Sequence, residues 1–140
     1  MGALEYYPEL MQLDAAQRLN FDRLSQECEK ILKEEESNEL DTLFKLGGSA
    51  GGARLKALVS VDGASWIVKF PSLYDRRTIG EEEYCYMKCA GKCGIDVPEV
   101  RIFPSEYGKG YFAVKRFDRG SRGKVHMITV SGLLETSHRI

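Results

Sequence analysis

The spacing of apolar positions divides the chain into a short series of elements. Between residues 19 and 36, Leu24, Cys28, Ile31 and Leu32 recur at helical intervals among polar positions, which predicts an amphipathic helix. Its far end carries Glu34, Glu35 and Glu36, negative charge where the helix dipole disfavours it, so the helix is expected to fray or stop near Ser37. The acid-rich run from Glu27 to Glu39 reads as a solvated helix face rather than a binding tail. Further on, Leu55 to Val61 and Trp66 to Phe70 are two β-prone runs separated by Asp62-Gly63-Ala64-Ser65. An Asp-Gly pair between such runs predicts an antiparallel hairpin. Pro71 ends the second run, and a polar connection through Tyr74 to Arg77 leads to a helix expected over Ile79 to Lys92, closed by Gly94 as a left-handed cap. Val100 to Phe103 and Gly110 to Val114 read as two more strands around a turn-rich link, Pro104 to Lys109. Lys115 to Lys124 holds five basic residues, one acidic residue and two glycines, and reads as an exposed connection. His126 to Thr129 is expected to form a short strand and Val130 to Thr136 to open a helix.

Composition narrows the class. With 140 residues, 43% hydrophobic and 29% charged, the chain is long enough for one globular core, which excludes two large domains and a disordered chain. Twenty basic residues against twenty-one acidic ones leave a net charge of -1, so nucleic-acid binding by bulk charge is not expected, and direct DNA binding with it. No apolar run approaches the roughly 20 residues that cross a bilayer. Met1 to Gln12 carries Glu5 and Glu9 and lacks the basic and apolar regions of a secretory signal, which points to a cytoplasmic location and no membrane partner. The four cysteines are expected to be reduced thiols. Cys85, Cys89 and Cys93 stand at i, i+4 and i+8, so the outer pair lies about 12 Å apart along a helix axis, too far for one tetrahedral metal site. They are expected instead to pack where this helix meets the sheet, with Met87 and Ala90. His126 and His138 have no ligand partners at metal spacing, so no metal site is expected. Tyr111, Phe112 and Phe117 are expected in the core, with Phe117 also facing a ligand.

The segment Gly47-Gly48-Ser49-Ala50-Gly51-Gly52 is the first candidate site, because glycines let backbone N–H groups converge on phosphate oxygens without side chains intervening. The residues after it exclude two common phosphate loops. Ala53-Arg54 stands where a Walker A loop needs Lys and Ser/Thr, and β-prone residues come next where a dinucleotide fingerprint needs a helix. What remains is a glycine loop, a hairpin ending Trp66-Ile67-Val68-Lys69-Phe70 and a helix opening on Glu81, Glu82 and Glu83. That is the order of a kinase small lobe, in which a strand lysine holds nucleotide phosphates and a glutamate from the next helix positions it. Lys69 and Glu83 are the candidates. Alternation turns Lys69 to the face opposite Val68 and Phe70.

The run Gly48-Ser49-Ala50-Gly51-Gly52-Ala53-Arg54-Leu55-Lys56-Ala57-Leu58, then Trp66 to Pro71, then Glu83-Tyr84, Gly94-Ile95 and Val97-Pro98-Glu99, then Arg116-Phe117-Asp118-Arg119, resembles the successive signatures of HipA-type toxin serine/threonine kinases. Gly2 to Tyr6, Leu133-Leu134-Glu135 and His138-Arg139 are similar to that family as well. The resemblance implies an α+β fold, the protein-kinase-like small lobe with an antiparallel sheet and packed helices. It divides the chain into a leading helical segment over 1–40, the lobe with its glycine-rich loop and hinge over 41–118, and the start of a truncated large lobe over 119–140.

The same resemblance implies residue roles. Lys69 contacts the α- and β-phosphates of ATP, with Gly51 and Gly52 in the glycine loop; Glu83 positions Lys69; Ser49 is the regulatory serine that the family autophosphorylates. Lys115 and Phe117 form the hinge that holds adenine by backbone groups, and Asp118 and Arg119 keep its shape. The catalytic and magnesium-binding aspartates of the family belong to its large lobe, so no catalytic residue is expected in this chain, and none of its residues is expected to bind metal. The function implied is the ATP-binding part of a kinase in a type II toxin-antitoxin system. The intact protein would use ATP and magnesium to phosphorylate a protein serine and would pair with a HipB-like antitoxin, whose contact subdomain is expected to be missing here. The alternative is a non-catalytic interaction module of a toxin-antitoxin or repressor complex.

Overall fold

The computed structural model describes residues 20–33, 54–120 and 123–136. They fall in two compact units, one within residues 13–116 and the other within residues 117–140. The first unit is α+β. Helix α1 (Phe21–Leu32) is followed by strands β1 (Lys56–Val61) and β2 (Ala64–Lys69), helix α2 (Ile79–Lys92), and strands β3 (Val100–Phe103) and β4 (Tyr111–Lys115).

Helix α1 starts where Asn20 stays extended and its side chain accepts a hydrogen bond from the Arg23 amide at 2.9 Å. Its apolar stripe buries Leu24 and Cys28. Asp22 ties the first turn to the link after β3, accepting from the Ser105 hydroxyl (2.6 Å), the Glu106 amide (3.0 Å) and the Tyr111 hydroxyl (2.7 Å). Burial alone would push the Asp22 carboxyl up; these three donors outweigh it and hold the group below the usual carboxylate range.

The four strands form one antiparallel sheet in the order β1-β2-β4-β3. The β1–β2 hairpin turns on Asp62 (φ 52°) and Gly63 (φ 72°), the left-handed pair whose twist matches that of paired strands. Burial then alternates along β1 and β2. Ala57 and Val59, Trp66, Val68 and Phe70, and Tyr111 and Ala113 pack with Leu24 and Cys28 into one core, and Phe21 meets Phe103 with ring centroids 4.9 Å apart.

Helix α2 contacts β3 and β4. Its approach is set by Gly80, which is buried: a Cβ there would lie 2.3 Å from the Gly110 carbonyl oxygen and 3.1 Å from the Phe112 nitrogen. The helix ends as its sequence predicts. Gly94 takes φ +83°, its amide bonds to the Gly91 carbonyl, and the Ile95 amide reaches back to the Ala90 carbonyl at 3.1 Å.

The cysteine stripe corrects an expectation. Cys85, Cys89 and Cys93 are all exposed, and only Cys28 is buried. Residues 80, 83, 87 and 90 share the face turned to the sheet. Cys85 is two positions beyond Glu83, about 200° round the helix, so the cysteines lie opposite. Apolar spacing favoured the thiols for the inner face, but an acidic residue occupies it because basic partners are waiting there.

In the second unit, Asp118 is buried, accepts from Arg119 Nη1 at 2.8 Å, and offers its carbonyl to the Val125 amide at 3.0 Å. Short strands β5 (Arg119–Gly120) and β6 (Gly123–Lys124) pair within the stretch expected to be a bare connection. The strand expected at His126 to Thr129 is not formed, since no described strand lies alongside to pair with it. Helix α3 (Val130–Leu133) is a single turn capped by the Thr129 hydroxyl. Phe117, expected in the core, is 69% exposed, whereas Tyr111 and Phe112 are buried as predicted.

Candidate functional site

Lys69 closes strand β2. Because Val68 and Phe70 are fully buried against α1, the pleat turns the Lys69 side chain to the opposite face, toward α2. There its amine donates to Glu83 Oε1. The amine also stands 5.2 Å from the centroid of the Phe112 ring, whose negative face favours a cation. Glu83 can reach it because Gly80, one turn earlier, lets the helix touch the backbone of β4.

The second oxygen of Glu83 has its own partner. Arg54 Nη1 donates to Glu83 Oε2 at 2.9 Å, and the other side of the guanidinium meets Asp75, with Nε to Oδ2 at 2.8 Å and Nη2 to Oδ1 at 3.3 Å. Asp75 Oδ2 further accepts the Ser72 amide at 2.7 Å. Burial would raise the Asp75 carboxyl, but Ser72, through its backbone and side chain, and then Arg54 hold it below its ordinary value. Two cations and two carboxylates thus form a neutral chain of ion pairs, each side chain between 17% and 28% exposed. At that exposure a single pair is weak, and it is the shared geometry of the four that fixes the positions.

Sequence reasoning picked out Lys69 and Glu83 but passed over Arg54 and Asp75. They are 21 residues apart, and neither spacing nor composition connects them. The only local signal is that Arg54 comes two residues after the glycine-rich segment. Of the remaining candidates, Lys115 is engaged away from Lys69 and Glu83, with Glu99. Ser49, Gly51 and Gly52 lie outside the described residues. Lys115 ends β4, its amide donating to the Glu99 carbonyl at 2.9 Å and its amine to the Glu99 carboxylate at 3.0 Å. The Lys115 amine, with help from Arg101, keeps the Glu99 carboxyl below its usual range despite an opposing effect of burial. Phe117 belongs to the other unit.

Among the described residues a cleft of about 400 Å³ lies between α1, the 71–77 connection and the 105–111 link, and neither Lys69 nor Glu83 lines it. Lys69, Glu83, Arg54, Gly80 and Phe112 border a second cavity of about 10 Å³, room for one water and not for a nucleotide. The chemistry is therefore better read from the ion pairs than from cavity size. No three His, Cys, Asp or Glu side chains converge on a metal position among the described residues, and no described helix is long and apolar enough to cross a membrane.

Comparison with known proteins places these residues in a family. Over 95 aligned positions the chain is 35% identical to the "Putative kinase Y4dM" of Sinorhizobium fredii, an alignment covering 60% of this chain and 22% of that protein. The chain therefore spans about a fifth of the length of this curated relative. No solved structure matches it significantly. Residues 48–139, which include Arg54, Lys69, Asp75 and Glu83, match the model of the HipA-like C-terminal domain, and the chain belongs to that kinase-related family.

Proposed function

We propose that this chain is the phosphate-holding part of a HipA-like serine/threonine kinase, folded as the small lobe of such an enzyme. The observation that carries the reading is the contact between Lys69 and Glu83, a strand lysine and a helix glutamate downstream of a glycine-rich segment. The Lys69 side chain is 28% exposed, so it can meet an anionic ligand, while Glu83 limits its range of positions. ATP is the proposed ligand. Lys69 faces its α- and β-phosphates, Gly51 and Gly52 offer backbone amides, and Ser49 is the site of regulatory phosphorylation. The hinge contacts to adenine come from Lys115 and Phe117. Since the Lys115 amide is engaged by Glu99, its share of that contact falls to its carbonyl.

The reaction proposed for the whole protein is transfer of the ATP γ-phosphoryl group to a protein serine, in a system with a HipB-like antitoxin. When bound with ATP, magnesium neutralises phosphate charge. No described residue is assigned to it, and the role of this chain is to hold and orient the phosphates. The test is titration of the chain with ATP, followed by amide chemical shifts. Shifts clustered around residues 54, 69 and 83 are expected, and Lys69→Met should abolish them. An unresponsive spectrum, or an equal response from Lys69→Met, overturns the proposal.

A further inference from the structure

We infer that Arg54 is a positioning residue for the Lys69–Glu83 pair, releasing Lys69 toward phosphate by carrying part of the charge of Glu83; this rests on the phosphate-holding reading above. The inference comes from how the two oxygens of Glu83 are divided. Oε1 takes the Lys69 amine and Oε2 takes Arg54 Nη1 at 2.9 Å. A lone carboxylate facing Lys69 would keep the amine for itself, since moving it to a phosphate would leave a half-buried negative charge uncompensated. With Arg54 on the other oxygen, Glu83 keeps a counter-cation when Lys69 leans away.

Arg54 itself is not free to follow the ligand. Its fork is spent on Asp75 through two contacts, at 2.8 Å and 3.3 Å, and Asp75 is in turn held by the Ser72 amide. The groups facing Lys69 differ from those facing Arg54. Lys69 has one carboxylate and the ring of Phe112, so its amine has room for another acceptor, whereas the guanidinium is clamped between two carboxylates. The residue also sits between the glycine-rich segment and β1, where the next residue, Leu55, accepts the Phe70 amide at 2.9 Å. Arg54 thereby connects the exit of that segment to the helix glutamate. A lysine in its place keeps the charge but not the fork.

The test uses the 140-residue chain with ATP as the probe and affinities read from amide shifts. Arg54→Gln should weaken ATP binding about tenfold, the scale of losing one charge-assisted contact. Arg54→Lys should recover part of it. Adding Glu83→Gln to Arg54→Gln should recover part of the affinity that Arg54→Gln loses, because the unshared carboxylate that holds Lys69 is gone, but not all of it, because Glu83 no longer positions Lys69; damage that was merely structural would deepen instead. If Arg54→Gln fails to fold by circular dichroism, Asp75→Asn loosens the same fork and should weaken binding in the same direction. Unchanged affinity in Arg54→Gln, or no rescue by Glu83→Gln, overturns the inference while leaving the phosphate-holding reading intact. Absence of ATP binding by the unsubstituted chain removes both.

Discussion

Gly80→Ala is the substitution that best separates tertiary packing from local propensity. In an isolated helix, glycine to alanine stabilises by about 1 kcal/mol, so propensity alone predicts a more stable protein. Packing predicts the opposite. The added methyl would sit 2.3 Å from the Gly110 carbonyl oxygen and 3.1 Å from the Phe112 nitrogen, both backbone atoms of the strand and its approach. Ordinary contacts begin near 3.4 Å, so the helix must retreat by about 1 Å. Overpacking of this kind costs about 1–3 kcal/mol, and the upper end applies because backbone cannot swing aside. After the helix gain, the net loss is about 2 kcal/mol, or a fall of about 10 °C in melting temperature for a unit of this size. Urea unfolding followed by circular dichroism reads the loss directly. Gly91→Ala on the same helix is the control, since its methyl meets only the Val97 side chain at 3.3 Å; it should leave stability unchanged or slightly raised. A midpoint for Gly80→Ala equal to or above that of the unsubstituted chain would refute the close approach, and with it the account of how Glu83 reaches Lys69.

Further expectations concern the hairpin, the acid limb and the thiols. Gly63→Ala meets nothing within 4 Å but is left at φ +72°, so it should cost about 1 kcal/mol in urea unfolding through conformation alone. Because the Asp22 and Asp75 carboxyls are held below their ordinary values, the stability they contribute is present above about pH 4 and is lost as pH falls through their folded values. Asp22→Asn should cost about 1–2 kcal/mol at neutral pH and flatten that acid limb in pH-dependent unfolding; an unaltered limb would show that Asp22 carries none of it. Cys85, Cys89 and Cys93 should react at once with a chromogenic disulfide reagent. Cys28, buried and with its thiol pushed up to about 12 first by burial and then by Glu27, should react only on unfolding. Four fast thiols, or one, would contradict the orientation of α1 or α2.

Much of the architecture is local in origin and legible in the residues themselves. Asp62-Gly63 demands a mirror-image turn, the alternation of Trp66, Val68 and Phe70 demands one buried face, and Gly94 demands a helix end, all because backbone sterics and side-chain period act over a few residues. The face assigned to Lys69 comes from the same alternation. The inner face of α2 does not come from its pattern. Both the thiols and Glu83 lie at helical spacing, and the choice between them was made by partners distant in sequence, Lys69 and Arg54, with Gly80 setting the depth of approach. Arg54 and Asp75 became a pair only when the sheet and the 71–77 connection closed on each other, because charge attraction depends on distance in space and leaves no mark in spacing along the chain. Local sterics therefore decided the hairpin, its buried face and the end of α2, and the order of elements singled out Lys69 and Glu83, whereas the joining of Arg54 and Asp75 to them was decided by folding alone.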